Sequence, residues 1–142
     1  MIAIANDHAG LLLKPALIEL LEERGIACRD LGVNTPESVD YPVYGKLAAK
    51  AVVSGECDRG IIICGTGIGI SLAANKVPGA RCVVASDAYS VRMSRMHNDT
   101  NMIAFGARAL GPDLARLLLA VWLDTPFEGG RHQRRVDMLE EK

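Results

Sequence analysis

A single cysteine, Cys64, stands between a run of isoleucines and a glycine-rich loop in the segment IIICGTGIGISLAANK (61–76). The apolar run predicts a buried strand, and the residues after the loop have the pattern of a helix. Backbone N–H groups at such a junction, with the positive end of the helix, favour bound anions. They also favour a thiolate, so Cys64 could be a general base, a nucleophile or an inert buried thiol.

The glycine spacing separates several kinds of phosphate loop. The loop reads G-x-G-x-G, not the G-x-G-x-x-G of dinucleotide-binding folds, although Asp87 lies where a ribose-binding acid would be expected. The Lys-Ser or Lys-Thr of a P-loop does not follow. Position 70 is Ile, whereas a cysteine phosphatase needs an arginine there. A nucleotide-binding module stays open as an alternative from a different class, and a tight structural turn also fits.

Two histidines are candidates for acid–base work or for binding an anion. His8 follows Asp7 at the end of the first predicted strand, and His97 precedes Asn98 at the end of a predicted helix. Neither histidine has metal-ligand spacing to another His, Cys or carboxylate, so we expect no metal site.

Arginines supply a second set of anion-binding groups. Arg131 and Arg135 are four residues apart, so they share a face of a predicted C-terminal helix, and Arg108 follows a predicted strand. Guanidinium groups bind phosphate through two parallel hydrogen bonds. These groups together fit a site for a small phosphorylated metabolite. They would serve an aldose–ketose isomerase working through an enediolate, but the spacing alone does not select that reaction.

The elements that must position these groups alternate as short apolar and longer amphipathic segments. The predicted strands are 2–6, 27–32, 59–65, 81–86 and 101–106, and the predicted helices are 11–25, 41–55, 68–77, 88–98, 111–124 and 129–142. This alternation predicts a three-layer α/β/α fold with a five-stranded parallel sheet and a C-terminal helix. Ligands of such folds bind beyond the carboxyl ends of the strands, where Asp7, His8, Cys64 and Arg108 are expected.

Length, charge and cysteine usage narrow the class of protein. A chain of 142 residues with a net charge of −1 predicts one domain, residues 1–142, with no general affinity for nucleic acid or anionic membranes. We expect neither a signal peptide nor a membrane span. The cysteines lack the spacing of a disulfide scaffold or a metal site, which indicates a reduced, cytoplasmic protein; they are Cys28, Cys57, Cys64 and Cys82.

Six short motifs carry a resemblance to a known family. They are NDHAG (6–10), DYP (40–42), CGTGIGISLAANK (64–76), SRMHNDTN (94–101), FGAR (105–108) and EGGRHQRRV (128–136). In this order they resemble the signatures of the ribose-5-phosphate isomerase B family, which also contains the galactose-6-phosphate and allose-6-phosphate isomerases. The likeness extends from residue 4 to about residue 138, nearly the whole chain.

The resemblance implies a Rossmann-like fold and a homodimer, or a dimer of dimers, with sites at the subunit interface and no metal or organic cofactor. The implied reaction interconverts D-ribose 5-phosphate and D-ribulose 5-phosphate through a cis-enediolate, in the non-oxidative pentose phosphate pathway. A hexose 6-phosphate is the alternative substrate. The C-terminal tail, 129–142, would pack on the partner subunit or on its own domain.

The resemblance also implies roles for individual residues. The family has a second branch whose base is a glutamate six residues after the cysteine; here that position is Ile70, so the chain resembles the cysteine branch. Asn6 departs mildly from the small residue or cysteine common in relatives. The resemblance implies that Cys64 is the base, that the Thr66 hydroxyl assists it, and that His97 helps to open the furanose ring. The backbone cradle for the enediolate would be Gly65, Gly67, Ile68 and Gly69, the sugar hydroxyls would be bound by Asp7 and Asn98, and Tyr41 would line the pocket. The phosphate would be bound, in part from the partner subunit, by His8, Arg108, Arg131 and Arg135.

Overall fold

The computed structural model describes residues 1–141, which form five strands and six α-helices. The strands are β1 (Ile2–Asn6), β2 (Cys28–Asp30), β3 (Arg59–Cys64), β4 (Cys82–Val84) and β5 (Met102–Gly106). The helices are α1 (Lys14–Glu23), α2 (Tyr41–Val53), α3 (Ile68–Asn75), α4 (Ala88–Asn98), α5 (Pro112–Asp124) and α6 (Arg131–Leu139). The order of strands and helices confirms the sequence prediction.

The first predicted helix, 11–25, begins differently from its prediction. Residues His8–Leu12 form a 3₁₀ helix, and α1 begins only at Lys14. Asp7 caps the 3₁₀ helix by accepting the Gly10 N–H at 3.1 Å. Pro15 then lies in the first turn of α1, where its missing N–H costs no helical hydrogen bond.

All five strands are parallel and follow the order β2-β1-β3-β5-β4, which confirms the predicted three-layer fold. The chain leaves β1 toward one edge of the sheet and leaves β3 toward the other. The carboxyl ends of β1 and β3 therefore flank the point where the direction of winding reverses. Open α/β folds bind their ligands at such a point.

Each face of the sheet packs against its own layer of helices. Alternate residues of the central strands, including Ile61 and Ile63, join a core with residues of α1, α4 and α5. Their neighbours, including Ile62 and Cys64, join a second core with α2 and α3. The alternation of side chains along a strand thus turns Cys64 toward the α2/α3 layer.

The C-terminal helix α6 contacts α4, and it follows a turn made by Gly129 and Gly130. Both glycines have positive φ, 70° and 58°, a conformation that other residues rarely adopt. None of the helices in residues 1–141 has the length and hydropathy that crossing a bilayer requires.

Candidate active site

Cys64 lies at the carboxyl end of β3 with only 5% of its surface exposed. Its Sγ accepts a hydrogen bond from the N–H of Gly67 at 3.2 Å. Gly67 precedes the first residue of α3 and has φ of 80°, a backbone conformation that other residues rarely adopt. An N–H group in this position can stabilise negative charge on the sulfur while the thiol takes part in proton transfer.

The loop also presents N–H groups that have no hydrogen-bond acceptor among residues 1–141. The Ile68 N–H donates to Thr66 Oγ1 at 3.2 Å, and the Gly67 N–H donates to Cys64 Sγ. Four further N–H groups donate no hydrogen bond in the described part of the chain; they belong to Gly65, Thr66, Gly69 and Ile70. The first turn of a helix leaves its own donors free, which accounts for the N–H groups of Gly69 and Ile70. They can receive an oxyanion beside the thiol.

Close packing of glycines brings the neighbouring strands onto this loop. A Cβ added to Gly67 would lie 2.9 Å from the carbonyl carbon of Phe105, and one added to Gly106 would lie 2.5 Å from the Thr66 carbonyl oxygen. The N–H of Ala107 donates to the Cys64 carbonyl at 2.9 Å. The ends of β3 and β5 are therefore held together with no room for a larger residue.

Tyr41 and Arg108 border the same loop. A Cβ at Gly69 would lie 2.7 Å from the Tyr41 ring, so the ring covers the start of α3. A Cβ at Gly65 would lie 3.4 Å from a terminal guanidinium nitrogen of Arg108. Arg108 is exposed, and its backbone N–H donates to the Gly65 carbonyl at 2.9 Å. Within residues 1–141 its guanidinium makes no ion pair, which leaves it available to an anion.

Asp7 and His8 follow β1, the strand adjacent to β3. The Asp7 N–H donates to the Ile63 carbonyl at 3.2 Å, which ties the two strand ends together. His8 Nδ1 accepts the N–H of Val39 at 3.1 Å. In neutral His8 the proton must then be on Nε2, which becomes a hydrogen-bond donor.

Asn6 helps to hold the polar loop (31–40) over this edge of the sheet. Its Nδ2 donates to the carbonyl oxygens of Asp7 and Val33, at 2.8 and 3.1 Å. The buried ammonium of Lys14 also donates to the Val33 carbonyl, at 2.7 Å, and pairs with Asp30. These bonds fix the loop that carries Val39, the hydrogen-bond partner of His8.

His97 and Asn98 lie at the opposite end of the strands from Cys64, along the edge formed by the amino ends of the sheet (the amino edge). Helix α4 begins after the carboxyl end of β4 and ends at Asn98, before the amino end of β5. The carbonyl of nearby Asn101 accepts the N–H of Gly60, at the start of β3, at 2.9 Å. Cys64 is four residues further along that strand, or about 13 Å. One chain therefore does not bring His97 and Cys64 together.

Arg131 and Arg135 belong to this second edge as well, because α6 packs against α4. Both side chains are exposed, and in the described part of the chain neither forms an ion pair. The predicted residues thus separate into two groups. The carboxyl-edge group is Asp7, His8, Tyr41, Cys64, Gly65, Thr66, Gly67, Ile68, Gly69 and Arg108, and the amino-edge group is His97, Asn98, Arg131 and Arg135.

Two residues beside His97 were not among the predicted site residues. The imidazole rings of His97 and His132 are stacked, with centroids 4.2 Å apart and planes 13° from parallel. Glu128 lies 3.2 Å from Nε2 of His132. The spacing of four residues between Glu128 and His132 was visible in the sequence, but the contact with His97 depends on the packing of α6 on α4.

Asp87 has a structural role in the helix that follows it. Its carboxylate accepts the N–H of Ser90 at 2.7 Å and so caps α4, and these hydrogen bonds lower the pKa of Asp87. Strand β4, which precedes it, is separated from β3 by β5. Asp87 therefore does not lie beside the glycine loop, as the nucleotide alternative requires.

The other cysteines provide no second reactive thiol at this edge. Burial raises the pKa of Cys28 to about 11 and also raises that of Cys82. Cys57 is buried, and all four cysteines are free.

An α/β/α sheet with a thiol, a free N–H cradle and unpaired arginines defines a candidate enzyme of small anionic substrates. Residues 2–139 match the model of the family described as Ribose/Galactose Isomerase. The chain is 50% identical to "Ribose-5-phosphate isomerase B" of Escherichia coli (strain K12), over 97% of this chain and 93% of that protein.

A solved structure supports the same relationship. The structure described as a structural study of Clostridium thermocellum Ribose-5-Phosphate Isomerase B matches with a TM-score of 0.96 at 52% identity, over 98% of this chain and 94% of the other. A third relative, at 39% identity over 97% of this chain and 91% of the other, is "D-erythrulose-4-phosphate isomerase" of Pectobacterium atrosepticum. This chain belongs to the Ribose/Galactose Isomerase family, and it is an isomerase of the sugar-phosphate class.

Proposed function

We propose that this enzyme interconverts D-ribose 5-phosphate and D-ribulose 5-phosphate, with Cys64 as the general base. The observation that carries the proposal is the hydrogen bond from the Gly67 N–H to Cys64 Sγ, beside the free N–H groups of the loop. Names of relatives support the substrate, since the Escherichia coli and Clostridium thermocellum proteins are ribose-5-phosphate isomerases.

In the proposed reaction the Cys64 thiolate removes the proton from C2 of the open-chain aldose. The electron pair of that C–H bond forms the C1–C2 double bond, and the negative charge passes to the oxygen on C1. Free N–H groups, such as that of Gly69, stabilise the resulting cis-enediolate. The thiol then returns its proton to C1 while a proton passes from the oxygen on C2 to the oxygen on C1, with Thr66 assisting, which produces the ketose.

We propose a homodimer in which each active site combines two chains. The carboxyl edge of one copy supplies Cys64, and the amino edge of the other supplies His97, which opens the furanose ring, and Asn98, which binds a sugar hydroxyl with Asp7. This arrangement follows from the separation of His97 and Cys64 along a single chain. A twofold axis across the strands would set opposite edges of the two sheets against each other.

An apolar surface beside the thiol fits this second copy. Large side chains of α2 and α3 are exposed there; they are Tyr41, Val43, Leu47, Ile68 and Leu72. Exposed apolar side chains on two helices in contact form a patch of the kind that typically marks a protein interface. Tyr41 and Ile68 belong both to the patch and to the rim of the loop, so a partner that covers the patch reaches the site. A dimer of dimers is compatible with the same interface.

The phosphate would be bound by groups from both chains. His8 Nε2–H and Arg108 border the thiol in one chain, and Arg131 and Arg135 of the other would close over the anion with their guanidinium forks. In this proposal α6, within the predicted tail 129–142, contributes to the partner's site while packing on its own α4.

Residues 1–142 would form one isomerase domain, which the family match over residues 2–139 supports. The reaction described above uses only side chains and backbone N–H groups, and it involves no nucleic acid. Four free cysteines fit a reducing compartment, and we propose the cytoplasm.

A substrate panel tests the proposed function. Ribose 5-phosphate, allose 6-phosphate and D-erythrulose 4-phosphate are each supplied to the purified enzyme, and formation of the partner sugar is followed. We expect the largest kcat/KM for ribose 5-phosphate. A larger value for the four-carbon or six-carbon sugar would assign the enzyme to that substrate. Saturable NAD binding without turnover of any of the three would overturn the proposal.

A further inference from the structure

Three side chains that can ligate a metal ion meet where α6 packs on α4. His97, Glu128 and His132 each offer one ligand atom, and these atoms lie within 4.8 Å of one another. His132 is buried, with 6% of its surface exposed, while Glu128 is open to solvent. The cluster is therefore partly sheltered and still accessible to an ion.

The backbone holds the three residues in place. The N–H of Glu128 donates to the carbonyl of Met96 at 3.1 Å, directly beside His97. The N–H of His132 donates to the Gly129 carbonyl at 3.1 Å, across the glycine turn that begins α6. The positions of the ligands thus depend on main-chain bonds and a helix contact, not on flexible side chains alone.

Two imidazoles and one carboxylate form a ligand set that zinc prefers, with a fourth position open to water. Ligand atoms about 2.1 Å from a tetrahedral zinc are about 3.4 Å from one another. Glu128 and His132 are already 3.2 Å apart at Oε2 and Nε2. The His97 ring, which is stacked on that of His132, would have to turn so that a ring nitrogen faces the ion.

We propose that His97, Glu128 and His132 bind Zn²⁺ and that the ion inhibits the enzyme. The inhibition rests on the proposed function, because zinc would occupy the nitrogen with which His97 assists ring opening. The isomerisation itself uses no metal in this scheme. Binding would make turnover sensitive to free zinc.

Metal binding is tested without reference to activity. The full-length chain is freed of metals with EDTA and dialysed against ZnCl₂, and bound zinc is counted by mass spectrometry. We expect one ion per chain, and at least tenfold weaker binding in Glu128→Gln and in His132→Gln. Cys64→Ala and Glu56→Gln serve as controls for thiol and surface binding and should still bind one ion. Zinc-free native protein, or binding in both site variants as tight as in the native protein, would overturn the proposed site.

Inhibition is measured separately on the native enzyme and Glu128→Gln. Turnover of ribose 5-phosphate should fall in the native enzyme over the zinc range in which the site fills, and EDTA should restore it. Glu128→Gln should need at least tenfold more zinc. Zinc that binds without lowering turnover would overturn the inhibitory role alone. An enzyme with no turnover of any sugar would contradict the proposed function, and the dialysis result would be unaffected.

Discussion

The N–H of Gly67 donates a hydrogen bond to Sγ of Cys64 at 3.2 Å, across the junction of β3 and α3. Gly67 directly precedes α3 and has φ of 80°, a backbone conformation that other residues rarely adopt. The loop therefore does more than provide a generic anion cradle. It binds the sulfur and leaves other N–H groups free for a substrate oxygen.

Replacing the thiol should abolish turnover while leaving substrate binding largely intact. In Cys64→Ala, we expect kcat to fall by a factor on the order of 10³ or more, because proton transfer loses its base. Binding of ribose 5-phosphate, measured by calorimetry, should change by less than about threefold, because the phosphate is held elsewhere.

Cys82→Ala is the matched control for loss of a thiol. Burial raises the pKa of Cys82, which therefore stays protonated at neutral pH, and it lies on an edge strand far from the loop. We expect its kcat to match that of the native enzyme. A Cys64→Ala enzyme with native kcat would show that another group removes the proton.

Gly67 should tolerate no side chain. In Gly67→Ala the new Cβ would lie 2.9 Å from the Phe105 carbonyl carbon and would also require positive φ. Gly25→Ala is the control, since Gly25 has φ of 67° but nothing within 4 Å of the added Cβ. We expect the control to lower the free energy of unfolding by about 1–2 kcal/mol. Gly67→Ala should lower it more and also reduce kcat, as urea titration and kinetics would reveal; equal losses would contradict the packing argument.

Much of this fold was predictable because strand and helix patterns are local. The isoleucines of β3 and the Gly25 stop after α1 predicted their elements directly. The 3₁₀ helix at His8–Leu12 was not predicted, since its cap depends on the Asp7 carboxylate reaching Gly10. The edge strands β2 and β4 are shorter than predicted because they pair on one side only.

The site was harder to predict than the fold, because its residues come from segments that are far apart in the chain. Cys64, Asp7 and Arg108 follow strands, so their common edge could be foreseen. His97 lies at the end of a helix that runs back to the amino ends of the strands, so its separation from Cys64 follows from the alternation of parallel strands and helices and not from its own motif. The stacking of His132 on His97 depends on α6 packing, a contact between distant segments.

Arg135 should contribute to phosphate binding and little to the chemical step. In Arg135→Ala, we expect KM for ribose 5-phosphate to rise at least tenfold, with kcat within about threefold, because a charge-assisted bond to the phosphate is lost. Arg134→Ala, which removes the adjacent exposed guanidinium of the same helix, is the control and should leave KM unchanged. Equal KM values in the two variants would remove Arg135 from the site.

Asp87 should stabilise the protein above about pH 4 and lose that effect in acid. Hydrogen bonds from Ser90 and Ser86 lower its pKa from the ordinary value of 3.8. A carboxyl whose native pKa is depressed stabilises the fold above its unfolded pKa, and the contribution disappears as pH falls through the native pKa. Asp87→Ala should thus lower Tm at pH 6, and the difference from the native enzyme should shrink below pH 4. Glu37→Ala, in an exposed loop, should show no such trend. A loss of Tm in Asp87→Ala that stayed the same at every pH would exclude the carboxylate charge as the cause.

Mixed dimers should reveal whether the site spans two chains. Cys64→Ala and His97→Asn enzymes, each inactive alone, are dissociated in mild denaturant, combined in equal amounts and reassociated. If each site takes Cys64 from one chain and His97 from the other, every mixed dimer has one site in which both residues are intact and one site in which both are replaced. Random pairing makes half of the dimers mixed, so about a quarter of native activity should return.

A second pair of variants tests the geometry of this recovery. Cys64 and Asp7 lie at the same edge of one chain, because the Asp7 N–H is bonded to the end of β3. Mixing Cys64→Ala with Asp7→Asn therefore leaves each site of a mixed dimer with one defect, and activity should not exceed that of the parents. If the Cys64 and His97 variants also failed to complement each other after proven exchange of subunits, each site would have to be formed by a single chain. That result would require His97 to act outside the chemical step, because the strand β3 keeps it at the opposite edge from Cys64.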